Sequence, residues 1–267
     1  MDAFKEYLVL NNLAPNTVSA YITAIKGYMK QYDDFTKKNL LAWKAFLIEN
    51  FKAKTVNLKL QAINKYLEFI NKKNLRIKSV KVQQKTYLEN VISDADYVFL
   101  KKKLKQESNK EWYFIVRFLC ATGARISELI KIKVEHINRG YIDLYTKGGK
   151  IRRIYIPLAL RKETSIWLNE VLHIESGYIF LNRFGDRIST RGISQQLKNF
   201  AVKYGIDPKV VYPHSFRHRF AKNFLEKYND IALLADLMGH ESIETTRIYL
   251  RKTASEQQAI VDKIVTW

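Results

Sequence analysis

The sequence predicts a protein of two domains that is mostly α-helical with one small β-sheet, an α+β fold. Apolar residues recur every three or four positions through most of the chain, which is the spacing of amphipathic helices. A single pair of short segments is instead rich in β-branched and aromatic residues and flanks a glycine pair, which is typical of a β-hairpin. The 267 residues, of which 47% are hydrophobic, are enough for two hydrophobic cores.

Residues 1–77 are predicted to be all helical. The tripeptide Ala14-Pro15-Asn16 separates the first two apolar stripes, because proline is tolerated in the first turn of a helix and not in its interior. Two further stripes follow at the same helical spacing. The apolar stripes lie in Phe4–Leu8, Tyr21–Tyr28, Leu40–Phe51 and Val56–Asn71.

Residues 78–92, KSVKVQQKTYLENVI, lose the helical periodicity and are rich in Lys and Gln, which predicts a linker. The second domain is then residues 93–267, and Ser93 is expected to cap a helix over Asp94–Lys105. The boundaries therefore predict one helical domain, a basic linker and one larger domain.

A β-hairpin is predicted in the second domain. Tyr141–Tyr145 and Ile151–Ile156 form its strands around TKGGK, where Gly148-Gly149 supplies the turn and Pro157 ends the second strand. A lysine on such a turn, Lys147 or Lys150, can reach into a groove. A third short strand over Tyr178–Leu181, followed by a turn at Arg183-Phe184-Gly185-Asp186, and a helix over Arg191–Tyr204 that ends at Gly205 are also predicted.

The charge balance indicates a polyanionic partner. Lys and Arg number 46 against 26 Asp and Glu, which gives a net charge of +20 and a pI near 9.8. Both parts are basic, at +9 for residues 1–92 and +11 for residues 93–267. Nucleic acid is favoured over a membrane surface, while a basic protein without a nucleic-acid partner remains the alternative.

Cys120 is the single cysteine, so an internal disulfide and the Cys-x-x-Cys pairs of a zinc site are both excluded. The N-terminus MDAFKEYLVLNN carries charges inside its apolar run, and no stretch of about 18 apolar residues is present. We therefore expect a cytoplasmic protein with no membrane segment. We also find no nucleotide-binding loop and no paired carboxylates, so no cofactor and no metal are expected.

The stretch HSFRHRFAKNFLEKYNDIALLADLMGHESIETTRIYL concentrates groups that suit phosphate chemistry. His214 and Arg217 are three residues apart, which places both on one face of a helix. His240 follows Gly239, the expected stop of the preceding helix, and Tyr249 comes nine residues later. Each residue alone has an ordinary interpretation as a surface or core side chain, so the ordered set carries the argument.

A second stretch, TGARISEL, places Arg125 in a turn between two helices. One helix is expected to stop at Thr122-Gly123 and the next to restart near Ser127. A guanidinium beside the free N–H groups of a helix start suits a phosphate oxygen, although a lone arginine is more often a surface charge.

Together HSFRH, LMGH, the following tyrosine and TGARISEL resemble the signature of the tyrosine recombinase (phage integrase) family. The resemblance implies that Tyr249 is the nucleophile, that Glu128 supports Arg125 and that the hairpin lysine is the general acid. Within TKGGK, Lys147 best matches the position of the family's hairpin lysine, and Lys150 is the alternative. The implied catalytic residues are Arg125, Lys147, His214, Arg217, His240 and Tyr249. His214 is also a candidate acceptor of the phenolic proton.

The resemblance also implies a fold and a reaction. Residues 1–77 would be a four-helix, SAM-like core-binding domain that grips DNA from the side opposite the catalytic domain, residues 93–267. On this resemblance the chain starts directly in the core-binding domain and is similar to a simple Xer-like recombinase, which exchanges strands through a 3′-phosphotyrosine without ATP. The implied partners are duplex core sites with inverted repeats, held by a homotetramer on two duplexes, for integration, excision or resolution.

Two positions depart from the family pattern. Phe216 and Arg219 replace the family's usual Leu and its usual Thr or Ser, and neither is expected to touch the chemistry. The apolar stripe of Ser255–Trp267 is expected either to pack on its own domain or to dock, as an exchange segment, on a neighbouring protomer. A type IB topoisomerase, a catalytically idle DNA-binding protein and a basic scaffold or RNA-binding protein are the rival functions.

Overall fold

The computed structural model describes residues 1–82, 89–145, 151–170, 177–250 and 254–265, although for 254 and 255 it describes only the backbone. The chain divides into two compact units, Met1–Gln84 and Lys85–Trp267, and the division falls inside the segment expected to be a linker. The described part is mostly helical with one two-stranded sheet, as the sequence predicts.

The first unit is built from four α-helices and a short 3₁₀ turn. Pro15 occupies the first turn of the second helix, and the Thr36 hydroxyl accepts a hydrogen bond that caps the third. Large side chains such as Phe4, Tyr28 and Trp43 are completely buried between the helices. The helices are α1 (Asp2–Leu10), α2 (Pro15–Met29), α3 (Lys37–Asn50) and α4 (Ala53–Phe69).

The second unit begins with helices that lie close to the boundaries expected from sequence. Ser93 caps the first of them, and Gly123, with a φ of +60°, ends the second in the left-handed conformation. A side chain at Gly123 would meet the Phe220 ring 2.5 Å from its Cβ, so the space allows only glycine. These helices are α5 (Asp94–Gln106), α6 (Lys110–Thr122), α7 (Ile126–Leu129) and α8 (Val134–Arg139).

The hairpin strands are β1 (Tyr141–Tyr145) and β2 (Ile151–Tyr155), which pair antiparallel. In β2, Arg152 and Ile154 are buried whereas their neighbours are exposed, as the two-residue period of a strand requires. An arginine therefore takes an inward position next to an isoleucine. The predicted glycine turn lies outside the described residues, together with Lys147 and Lys150.

The strand predicted over Tyr178–Leu181 is wrong. Tyr178 and Leu181 form only isolated bridges, to Lys133 and Arg187 respectively, and extend no sheet within the described residues. The reason is local. The side-chain oxygen of Asn182 accepts hydrogen bonds from the backbone N–H groups of Phe184 and Asp186, so the chain turns directly after Leu181.

The remaining helices carry most of the expected chemistry. The core of the second unit includes Phe118, Trp167 and Phe180, and α6 packs against α11 beside it. The helices are α9 (Leu158–Glu170), α10 (Thr190–Lys203), α11 (Pro213–Tyr228), α12 (Ile231–Met238), α13 (Ile243–Arg247) and α14 (Ala254–Ile264), with a 3₁₀ turn at Ile248–Leu250. No helix of the described segments has the length and apolar character needed to cross a bilayer.

Candidate active site

Three parts of the second unit meet at one place: the turn between α6 and α7, the first half of α11, and the segment from the end of α12 to the 3₁₀ turn. They bring together all the predicted site residues that the structure describes. These are Arg125, His214, Arg217, His240 and Tyr249. The sixth, Lys147, is outside the described residues.

Arg125 is fixed at the start of α7 by its neighbours. Its backbone N–H donates to the Glu128 carboxylate over 2.6 Å, and its Nη1 donates to the same carboxylate over 2.9 Å. Its Nη2 donates to the carbonyl oxygen of Gly239 over 3.1 Å. Arg125 thus ties the α7 turn to the end of α12, and Glu128 supports it as the motif suggests.

Arg217 is buried between the ends of two helices. Its Nη1 donates to the Gly123 carbonyl oxygen over 2.5 Å, and its Nη2 donates to the Met238 carbonyl oxygen over 2.6 Å. Both carbonyls lie at helix C-termini, where the partial negative charge stabilises a cation. Burial, followed by the charges of Arg125 and Arg152, lowers the pKa of Arg217 to about 10, so it remains charged at neutral pH.

His240 lies between Arg217 and the short helix α13. Its Nε2 is 3.1 Å from Nη2 of Arg217, and its Nδ1 is 2.8 Å from the Thr246 hydroxyl. Arginine can only donate, so Nε2 accepts in this state and the imidazole is neutral. Burial and the charge of Arg217 with the other arginines lower the pKa of His240 to about 4, in agreement with that assignment.

Tyr249 sits in the 3₁₀ turn with its side chain buried. Its ring stacks on His240 with 6.2 Å between centroids and 11° between planes. Burial raises the pKa of the phenol, although a hydrogen bond and the charge of Arg217 act against that rise, as does the charge of Arg125. The nucleophile candidate is therefore protonated in this state and held against a cation.

Two further residues lie at the site, and the sequence analysis assigned a role to neither of them. Arg152 is buried and contacts both Glu128 and the Leu237 carbonyl oxygen, to which its Nη2 donates over 3.0 Å. The alternation of inward and outward side chains along β2 is the sequence signal that could have identified Arg152 as a buried residue. His218 lies one turn after His214, and its Nδ1 is 3.2 Å from the Tyr249 hydroxyl.

Glu128 forms ion pairs with two guanidinium groups at once, those of Arg125 and Arg152. Burial by itself would raise the pKa of this carboxyl, but the hydrogen bond and charge of Arg152, together with contacts from Arg125, lower it. Glu128 is therefore ionised and shared between the two arginines. One buried carboxylate against Arg125, Arg152 and Arg217 leaves the site positively charged, which favours an anionic ligand such as a phosphate.

Arg219, a departure from the family pattern, points away from these groups. It pairs with Asp94, lies 4.9 Å from the centroid of the Tyr97 ring and donates to the Ile92 carbonyl oxygen over 3.4 Å. The Ile92 N–H in turn donates to the Ser215 hydroxyl over 2.7 Å. The polar side of α11 thus anchors the chain where the second unit begins.

No group of three or more His, Cys, Asp or Glu within the described segments is placed to hold a metal ion. What the site does hold is a phenol, several imidazoles and guanidinium groups fixed by helix-end carbonyls. Such a set can bind a phosphate oxygen through charge-assisted hydrogen bonds and offer a hydroxyl for attack on phosphorus.

Comparison with known proteins agrees with these motifs. The model of the phage integrase family matches residues 97–256. Tyrosine recombinase XerA of Pyrococcus furiosus is 30% identical over 275 residues, which cover 98% of this chain and 93% of that protein. Two solved structures share the fold. A lambda integrase dimer bound to a COC′ core site has a TM-score of 0.75 at 19% identity and covers 96% of this chain and 95% of that one. The XerH site-specific recombinase bound to palindromic difH substrate has a TM-score of 0.72 at 16% identity, with coverage of 96% and 81%. The chain therefore belongs to the phage integrase family, the tyrosine recombinases.

Proposed function

We propose that this protein is a site-specific DNA recombinase that cleaves and rejoins DNA strands through a 3′-phosphotyrosine at Tyr249. The observation that carries the proposal is the position of the Tyr249 phenol, buried against His240 and next to Arg217. A tyrosine in such a cationic pocket is suited to attack a phosphodiester, because the arginines offset the charge of the phosphate and of the attacking oxygen.

In the proposed reaction, Arg125 and Arg217 bind the non-bridging oxygens of the scissile phosphate. Each guanidinium has five N–H groups, so the carbonyl contacts that fix it leave donors for phosphate. His214 and His240 add hydrogen bonds to the same phosphate. To bind phosphate, Nε2 of His240 would give up its contact with Arg217. The ring proton of His240 would then have to move from Nδ1 to Nε2, so that Nε2 can donate.

The leaving 5′ oxygen needs a proton, and we assign that role to Lys147, with Lys150 as the alternative. Both lie outside the described residues, so the assignment rests on the resemblance of the hairpin to the family pattern. Attack by a 5′ hydroxyl of a second duplex would then reverse the chemistry and exchange strands. The energy of the broken bond is kept in the phosphotyrosine, and no ATP is used.

Duplex DNA is the proposed partner. The lambda integrase and XerH structures contain a core site and a difH substrate. This chain has a net charge of +20 with both of its parts basic, which suits a phosphate backbone. We assign DNA binding to residues 1–77 as well as to residues 93–267, and we expect core sites with inverted repeats.

Assembly into a tetramer on two duplexes is proposed from the C-terminal helix. In α14, Ile260, Val261, Ile264 and Val265 expose between 41% and 59% of their surface. Lys222 on α11 forms an ion pair with Glu256 at the start of α14. A tethered helix with an uncovered apolar side is suited to dock on a neighbouring protomer, so we favour that role for residues 255–267 over packing in cis.

Covalent capture tests the proposed chemistry. A duplex nicked near the cleavage site releases a short fragment after attack, so the protein remains attached to the 3′ phosphate and shifts in a denaturing gel. Wild-type protein is expected to form this adduct and Tyr249→Phe is not, since only the hydroxyl is removed.

The matched control is Tyr228→Phe, because Tyr228 is an exposed tyrosine at the end of α11. It is expected to form the adduct like the wild type. Adduct formation by Tyr249→Phe would show that another residue is the nucleophile. Cleavage of any duplex without a paired site, with relaxation of supercoiled plasmid, would instead indicate a topoisomerase.

A further inference from the structure

We infer that His218, rather than His214, accepts the phenolic proton of Tyr249 as its oxygen attacks the phosphodiester. The inference rests on the proposed function and deepens it, since it names the base for the proposed nucleophile. The observation behind it is direct contact, because Nδ1 of His218 lies 3.2 Å from the Tyr249 hydroxyl oxygen.

The rings are held together by the fold. The centroids of His218 and Tyr249 are 5.4 Å apart, and the helix α11 that carries His218 packs against the 3₁₀ turn that carries Tyr249. Tyr249 also belongs to the small cluster of buried residues that contains Ala221, Leu225, Leu234 and Met238, which fixes the position of its ring. A base fixed in this way needs no rearrangement of its own to reach the phenolic proton.

The direction of the hydrogen bond follows from the partners of the phenol. Arg217 also contacts the phenol, and a guanidinium can only donate. The phenol's own proton is therefore left for an acceptor, and a neutral imidazole supplies one at Nδ1 with its proton on Nε2. This assignment places the proton to be removed on the line between Tyr249 and His218.

Four charged or titratable groups face His218 among the described residues. They are His214 and Arg217 on its own helix, Tyr249 from the 3₁₀ turn and His240 from the segment after α12. Burial, then His214 and Arg217, lowers the pKa of His218 to about 4. A phosphate at the arginines would oppose their charge and so raise the proton affinity of the imidazole as the reaction proceeds.

His214 is less suited to this step. It is exposed, and its ring lies 6.5 Å from the ring of His218. No hydrogen bond joins His214 to Tyr249 in the segments that the structure describes. Its place on the same face as Arg217 suits a donor to the phosphate instead.

The step balances as a proton and group transfer. The O–H bond of Tyr249 breaks and its proton moves to Nδ1 of His218, while the phenolic oxygen forms a bond to phosphorus. The bond from phosphorus to the 5′ oxygen breaks, and that oxygen takes a proton from the general acid. In the reverse step the imidazolium returns its proton to the phenol that leaves.

The test uses full-length protein and a nicked duplex with a sulfur atom in place of the scissile 5′ oxygen. A thiolate leaves without a proton, so the pH dependence of cleavage then reports the nucleophile alone. His218→Asn is the main variant, because the amide oxygen occupies the place of Nδ1 and cannot hold a proton at neutral pH. His214→Asn is the matched comparison.

On the sulfur substrate, His218→Asn is expected to slow adduct formation at pH 7 by roughly 10²-fold or more, the scale of a lost general base. Its rate should rise tenfold per pH unit between pH 6 and 9, since attack then depends on phenolate from solvent. His214→Asn should lack this steep rise.

A wild-type rate for His218→Asn, or a uniform loss that leaves the pH profile unchanged, would overturn the role of proton acceptor. His218→Gln serves as the second variant if Asn lowers the melting temperature, with the same two outcomes. Failure of the wild type to form any adduct would instead overturn the proposed function, and with it this inference.

Discussion

At the scale of single residues, the site depends on one carboxylate. Glu128 is the buried acidic partner of the buried Arg152 and also contacts the partly exposed Arg125, so a single carboxylate forms ion pairs with two guanidinium groups. Breaking a buried ion pair from one side is costly because the partner's charge remains buried and unpaired. The same carboxylate is expected to matter for both stability and cleavage.

Glu128→Gln is therefore expected to lower the free energy of unfolding by about 3–5 kcal/mol. Urea denaturation followed by circular dichroism measures this change. The matched control is Glu163→Gln, because Glu163 pairs with Arg117 but its side chain is 46% exposed. That pair is expected to contribute about 0–1 kcal/mol. Equal losses in the two variants would contradict the shared role of Glu128.

The histidines of the site predict how stability depends on pH. The pKa values of His218 and His240 are lowered from 6.5 to about 4 by burial, with His214 next to His218 and Arg217 next to both. Between pH 6.5 and about 4 the unfolded chain takes up protons that the folded chain does not. The folded state is therefore not penalised by these two histidines above pH 6.5. As the pH falls toward 4, the free energy of unfolding decreases by about 1.4 kcal/mol per pH unit for each histidine.

Urea unfolding at several pH values between 7 and 4 measures this loss. A variant with His218→Asn and His240→Asn should lose much less stability over the same window, since it lacks the two groups that titrate. If the variant and the wild type show the same slope, other groups account for the acid sensitivity.

At the scale of elements, backbone carbonyl oxygens at the C-terminal end of α12 accept hydrogen bonds from Arg125, Arg152 and Arg217. Gly239 has a φ of +60°, and its carbonyl oxygen accepts from Arg125. A Cβ at this position would lie 2.2 Å from Cδ of Arg152. The glycine thus allows both the turn out of α12 and the close approach of a second arginine.

Gly239→Ala is expected to cost about 1 kcal/mol for the left-handed backbone and a further 1–3 kcal/mol for the clash with Arg152. Gly205→Ala is the matched control, because Gly205 follows α10 with a φ of +67° and open space around it. Only the backbone cost is expected there. Thermal or urea unfolding compares them, and a similar loss in both would show that the approach of Arg152 is easily relieved.

At the scale of the whole molecule, the proposed assembly depends on α14. Its apolar residues Ile260 and Ile264 are exposed, at 41% and 59%. Replacing both with serine removes little burial within one protomer, so the melting temperature is expected to stay within a few degrees. Docking in trans would be lost, and gel-shift assays with two duplexes should show single-duplex complexes only.

A truncation after Thr253 should behave like the double serine variant. The control is Leu158→Ser, which changes an exposed apolar residue at the start of α9. A clear drop in melting temperature with unchanged two-duplex complexes would show that α14 packs on its own unit.

How far the sequence determines this protein differs between its parts. The helices α5 and α10 were predictable because the signals for where a helix starts and stops are local in the sequence, and both helices lie close to the predicted bounds. The strand expected over Tyr178–Leu181 was not, since β-propensity alone does not supply a pairing partner and Asn182 turns the chain. The family was also readable from sequence, because its motifs are short and ordered.

The sequence by itself determined which groups are present: the tyrosine, the histidines, the arginines and the excess of positive charge. Only the tertiary structure decided which of them touch. His218 and Tyr249 are 31 residues apart, and Arg152 meets Glu128 across 24 residues, so both contacts arise from helices and a strand that pack together. Local patterns report the face on which a side chain lies, whereas the contacts of that face depend on packing between elements distant in the chain.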